Sequence, residues 1–170
     1  MNLQDCRLLV DYHYWARDRI LDAVAPLTPE QFTRDMGNSF RSVRDTLTHM
    51  YFAEWAWHLR WIGQSPTAPL QPDMFADAPS LRQAWQEHEG NMRAFLERTG
   101  DEGLPKVIEY KLISGQPGAS ILWQMLQHVV NHATYHRGQV TTMLKQLGAA
   151  PPKSTDLIVF YRERSGTRQP

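Results

Sequence analysis

The sequence predicts an all-α protein, a four-helix bundle with uneven connections, a long linker before the last long helix and a short C-terminal segment. Three observations carry this prediction. Apolar residues recur at spacings of three and four along long segments. Glycine and proline cluster between those segments. The chain has 170 residues, which suits a single domain over residues 1–170 with a full-sized core.

The elements follow in order. Residues 3–25 read as a helix, with Leu9, Tyr12, His13, Ala16, Ile20 and Val24 at helical spacing. Thr28-Pro29-Glu30-Gln31 opens a helix of one or two turns. Thr28 caps it, Pro29 suits the first helical position and Gln31 completes a capping box. Residues 40–62 form the second long helix, free of glycine and proline until Gly63, Pro66 and Pro69 stop it. The segment 63–79 holds four prolines and reads as a loop. Ser80 with Gln83 forms a capping box that opens the third long helix, which runs to Thr99 and is closed by Gly100 and Gly103. Residues 106–113 (KVIEYKLI) are rich in β-formers and read as a short strand or extended arm. Gly115, Pro117 and Gly118 form a turn, and Ser120 caps the fourth long helix, which runs to Leu147 and ends at Gly148. The linker between the third and fourth long helices is long enough to cross the bundle. Residues 155–163 read as a short terminal helix or strand packed on the bundle.

Composition bounds the function. Apolar residues make up 42 % of the chain, an ordinary globular share. Basic and acidic residues number 18 each, so the basic footprint of a nucleic-acid binder is missing and no nucleic-acid partner is expected. The single cysteine, Cys6, makes no intrachain disulfide and has no context that lowers a thiol pKa. The N-terminus lacks a signal-peptide pattern, and the longest apolar runs fall far short of the ~18–20 residues that span a bilayer. The expected location is the cytoplasm, away from membranes. Six tryptophans imply an aromatic core or oligomer interface. Phe52, Trp55 and Leu59 lie on a different helix face from Met50, Trp57 and Trp61, which points to burial on two sides, against the bundle and a second subunit.

Seven histidines are present, and their helical positions separate them. With His132 as zero on the fourth long helix, Ile121, Met125, Val129, Val140, Met143, Leu144 and Leu147 fall in an arc from about −20° to 120°. His136, at about 40°, shares that arc with His132. Two imidazoles therefore project into the core from adjacent turns. Buried imidazole nitrogens need partners, and either a metal ion or ordinary hydrogen bonds supply them. A third ligand must come from another helix. His49 is the candidate, because Thr46, Ala53 and Ala56 beside it leave room around an inward ring. Three histidines leave one coordination position for water or substrate. His128, at about −40° on the same wheel, sits on the rim of the arc. It is read as a rim residue or one that orients a ligand. His13, on the apolar face of the first helix, lines the pocket, bonds a ligand or is a satisfied core histidine. Asp45, one turn before His49, either orients it or is solvated. His58 and His88 read as peripheral. No residue is assigned as catalytic.

No His-Glu-x-x-His, inward Glu-x-x-His, Gly-x-Gly-x-x-Gly or Walker pattern occurs. At residues 128–139, HVVNHATYHRGQ, the chain resembles the DinB-like (DinB/YfiT) family of bundle metalloproteins. Asp11-Tyr12-His13-Tyr14-Trp15-Ala16 is similar to the family's YNxWA pattern, with His13 where asparagine is usual. Phe40-Arg41-Ser42 through Thr46-Leu47-Thr48-His49 is similar to its F-x-S…T-L-x-H pattern, and Thr155-Asp156-Leu157-Ile158 to its ending. The resemblance implies an antiparallel four-helix bundle, often a homodimer. It also implies one divalent metal ion, zinc or nickel first and iron or copper as alternatives, on the residues matching His49, His132 and His136. Some members are thiol-dependent transferases or isomerases that use bacillithiol, mycothiol or glutathione; others have hydrolase-like sites. The expected function is thus transfer of a low-molecular-weight thiol to a small electrophile. Metal-dependent hydrolysis, or a non-catalytic metal- or ligand-binding bundle, stands as the alternative. A fourth ligand such as His13 or His128 would favour a closed, structural site.

Overall fold

The computed structural model describes residues 1–166. Its long helices are α1 (Leu3–Val24), α3 (Val43–Trp61), α4 (Ala78–Gly103) and α5 (Leu122–Gln146). The short α2 (Pro29–Thr33) follows α1, and α6 (Leu157–Ser165) ends the described chain. Strands β1 (Val107–Lys111) and β2 (Pro117–Ile121) form an antiparallel hairpin between α4 and α5.

Side-chain pairs give the direction of each helix. Arg7 meets Glu97, Asp11 meets Arg93, Arg17 meets Glu89 and Asp22 meets Arg82, so α1 and α4 are antiparallel. His49 packs on His136 while Trp57 packs on His128, so α3 and α5 are antiparallel. Tyr51 contacts Trp85, whereas His58 and Trp61 contact Phe95, so α3 and α4 run the same way. The connection that returns along the bundle is therefore residues 62–77, not the linker before the last long helix. That linker is occupied by the hairpin, which joins the adjacent ends of α4 and α5.

Three local expectations are corrected. The second long helix begins at Val43, because Ser42 Oγ accepts the Asp45 amide and caps it, leaving Phe40 outside the helix. The α4 capping box is Asp77 with Ser80, so Ser80 sits inside the first turn rather than before it. Gly100 interrupts α4 where the sequence places its end, with a non-helical backbone (φ 58°, ψ −178°), and a short helical turn follows to Gly103. Ser120 does not cap α5. It pairs with Ile108 in the hairpin, as do the turn-like Pro117 and Gly118 with Lys111 and Tyr110.

The core lies between the four long helices and is filled by Ile20, Leu21, Leu47, Leu81, Trp85, Met143 and Leu144. A smaller cluster of Tyr12, Ala16, Val130 and Phe160 seats α6 on α1 and α5. Arg19–Glu163 and Arg164–Asp11 pairs clamp it there. Among the described residues no helix is long and apolar enough to cross a membrane.

Candidate metal centre

His132 and His136 occupy successive turns of α5, and the antiparallel packing of α3 brings His49 opposite them. His132 Nε2 lies 3.1 Å from His49 Nε2 and 3.1 Å from His136 Nε2. One nitrogen from each ring falls within 4.8 Å of the others, the single such group of three among the described residues. The ligand–ligand edge of a tetrahedral zinc site with Zn–N near 2.0–2.1 Å is about 3.3 Å, so the nitrogen spacing suits an ion of that size. Hydrogen bonds alone serve the three nitrogens poorly, since His132 Nε2 stands in both contacts and has one proton or one lone pair, not both.

The rings are held as ligands require. The carbonyl oxygen of Gln139 accepts from His136 Nδ1 at 2.7 Å, which leaves the Nε2 lone pair free to face the cluster. Phe40 stacks on His49 with centroids 4.0 Å apart and stands edge-on to His136 at 5.4 Å. Phe40 thereby covers one face of the His49 ring. Burial, with the charge of His136 adding, holds His49 down to about 4, and burial with the neighbouring imidazoles does the same to His132. Burial also lowers His136, against the opposing Gln139 bond. The rings are neutral at pH 7 and offer lone pairs.

The other expected residues fall elsewhere. His13 points away from the three histidines and donates from Nε2 to Glu54 at 2.8 Å. Asp45 does not touch the His49 ring; its carboxylate accepts from Arg44 Nε at 3.2 Å. It does share with His49 a cavity of about 220 Å³, walled by Phe40, Phe52, Pro69 and Leu70. His128 lies outside the cluster, solvent-facing, with its ring 5.8 Å from that of His132. Neither His13 nor His128 supplies a fourth ligand. Cys6 is buried, and burial pushes its thiol up to about 11.

Sequence reasoning missed three groups. Gln139 was detectable as the i+3 neighbour of His136. His58 and His88 are not peripheral but buried around Glu54, with ring centroids 5.1 Å apart. Glu54 is fully enclosed and accepts from Tyr14 at 2.6 Å and Trp85 Nε1 at 2.6 Å besides His13. Its signal was an acidic residue with no lysine or arginine three or four positions away.

A family model described as "DinB family" matches residues 1–164. Protein DinB of Bacillus subtilis (strain 168) is 28 % identical over 163 residues, which cover 89 % of this chain and 92 % of that protein. The crystal structure of a DinB-like protein from Bacillus cereus ATCC 10987 superposes with a TM-score of 0.62 at 16 % identity, covering 86 % of this chain and 95 % of the other. At that identity the superposition speaks for the fold.

Proposed function

The chain belongs to the DinB family, and on that footing we propose that it is a metal-dependent enzyme that transfers a low-molecular-weight thiol to a small electrophile. His49, His132 and His136 would hold one divalent ion, zinc or nickel before iron or copper. The observation that carries this reading is the convergence of three neutral Nε2 atoms on one point. An ion bound there supplies a positive charge that lowers the pKa of a thiol or water beside it, providing a nucleophile near neutral pH.

The protein's own groups do the rest. Gln139 fixes the tautomer and direction of His136, and Phe40 packs against the His49 ring. The cluster comprises three residues among those described, which favours an open fourth position over a closed structural site. The cavity at His49, with Phe40 and Phe52 as walls, suits a small partly apolar molecule. Metal-assisted hydrolysis would use the same open position with water in place of thiol. We further take the chain to be a homodimer. The solvent-facing Leu157, Ile158 and Tyr161 on α6 support this, and light scattering in solution tests it.

The functional test loads the protein with zinc or nickel and follows consumption of bacillithiol, mycothiol or glutathione with a panel of small electrophiles. Metal-dependent thiol loss that disappears in His49→Ala supports the transferase reading. Metal-dependent cleavage of ester or amide substrates without thiol favours the hydrolase. No turnover of either kind by metal-loaded protein leaves a non-catalytic binding bundle.

A further inference from the structure

Beyond the three histidines, α3, α5 and the hairpin border an open cleft of about 270 Å³, lined by Trp57, Tyr110, Ser120, Gln124, Met125 and His128. Its walls are built, not accidental. Tyr110 stands opposite Gly118 in the hairpin register, and a Cβ at Gly118 would lie 2.7 Å from Tyr110 Cε2. The ring therefore lies across the glycine, and any side chain there would push it aside. Its hydroxyl meets Ser120 Oγ at 3.3 Å, and its ring stands edge-on to Trp57 with centroids 5.0 Å apart. Trp57 is held in turn by the Arg60 guanidinium, 4.7 Å from its ring centroid, and stands edge-on to His128 at 5.5 Å.

The lining contains two aromatic rings, a thioether and three neutral polar groups, and no carboxylate or permanent cation. Among the described residues, the Gln124 amide and the His128 ring make no hydrogen bond, so both are available to a ligand. Gln124, His128, His132 and His136 follow at four-residue spacing and form one row on α5. The row is exposed at Gln124 and His128, half-buried at His132 and buried at His136. It leads from the cleft to the three histidines.

We infer that this cleft is a substrate subsite for a neutral, planar, hydrogen-bonding group such as an aromatic amide. The group is the non-reacting end of a molecule whose reactive end reaches the three histidines. Placement of the reactive end rests on the metal-centre reading; binding of the planar end does not need the ion. Trp57 and Tyr110 provide the stacking faces, and Gln124 and His128 provide a donor and an acceptor. A charged group is disfavoured because the nearby cation, Arg60, is already engaged by the Trp57 and Tyr110 rings at 4.7 and 5.8 Å and by the Lys111 carbonyl oxygen, and no lining group neutralises a charge. The volume falls below the roughly 300–1,000 Å³ of pockets that enclose whole ligands, so it suits a ring with one substituent.

The test uses benzamide as probe and benzoate as its charged counterpart, titrated into metal-free protein and followed by the NMR signals of the tryptophan indoles and histidine rings. Benzamide is expected to shift the Trp57 and His128 signals and to bind more tightly than benzoate. Trp57→Ala is expected to weaken benzamide by about fivefold or more. Gly118→Ala, which displaces the Tyr110 ring, weakens it as well. If Trp57→Ala fails to fold, Gly118→Ala and the exposed Gln124→Ala carry the comparison. No benzamide binding, unchanged binding in these variants, or equal binding of benzoate overturns the subsite. A zinc titration of the same samples separates the two readings. Zinc binding without benzamide binding removes the subsite alone, and benzamide binding without zinc binding removes the metal centre alone.

Discussion

Glu54 is the group on which the bundle interior is most dependent at the level of single residues. A fully buried carboxylate is costly unless its lone pairs are filled. Burial drives its pKa up, but the hydrogen bond and charge of His13, the charge of His88 and the Tyr14 hydroxyl outweigh that and bring it down to about 2. Glu54→Gln keeps one acceptor but turns an amide N–H toward donors that need an oxygen. It is expected to lower unfolding free energy by about 2–4 kcal/mol in urea titrations. The same groups set an acid sensitivity. Burial holds His58 down to about 4 from the usual 6.5, so the unfolded chain takes up that proton first. Stability is then lost as pH falls from 6.5 toward 4. Glu54 is depressed from 4.5, so its contribution is intact above that value and lost as pH falls toward 2. Unfolding measured across this range should show both losses, and Glu54→Gln should diminish the lower one. Spacing on one helix was enough to put His132 and His136 on one inward face, His136 buried and His132 half-buried. The Glu54 cluster draws on three helices, so no single segment could reveal it.

At the level of elements, α4 tests backbone conformation against helix propensity. Gly100 has φ 58° and ψ −178°, a region open almost only to glycine, and a Cβ there would meet nothing within 4 Å. Gly100→Ala should therefore destabilise through the backbone alone, by about 1–3 kcal/mol. Gly90, in the same helix with helical geometry and equally open surroundings, is the control. Gly90→Ala should stabilise by about 0.5–1 kcal/mol, and thermal unfolding of the pair checks both signs. Helix periodicity and caps made the long helices legible, apart from ends set by tertiary context. The hairpin was half legible. Val107–Lys111 carries β-formers, but Pro117–Ile121 (PGASI) becomes a strand only by pairing with it, and Ser120 in that setting imitates a helix cap.

For the whole molecule, an ion on His49, His132 and His136 would tie α3 to α5 across the bundle. Ligand bound only to the folded state adds about 2.7 kcal/mol at a hundred times its dissociation constant, so Tm should rise with zinc or nickel concentration and stay flat in His132→Ala. The helix directions explain why this meeting was only partly visible beforehand. His49 and His136 are 87 positions apart in the chain, brought together because residues 62–77 return along the bundle and leave α3 antiparallel to α5. Spacing could propose the two-histidine half of the site; the third member, suggested by the small neighbours of His49 and by the family resemblance, meets them only through that path. The central claim is tested most directly by elemental analysis of protein purified without chelator, beside His132→Ala prepared identically. About one zinc or nickel ion per chain is expected in the parent and near none in the variant, as a three-ligand site requires. A parent protein that carries no metal and takes up none from micromolar zinc or nickel would contradict it.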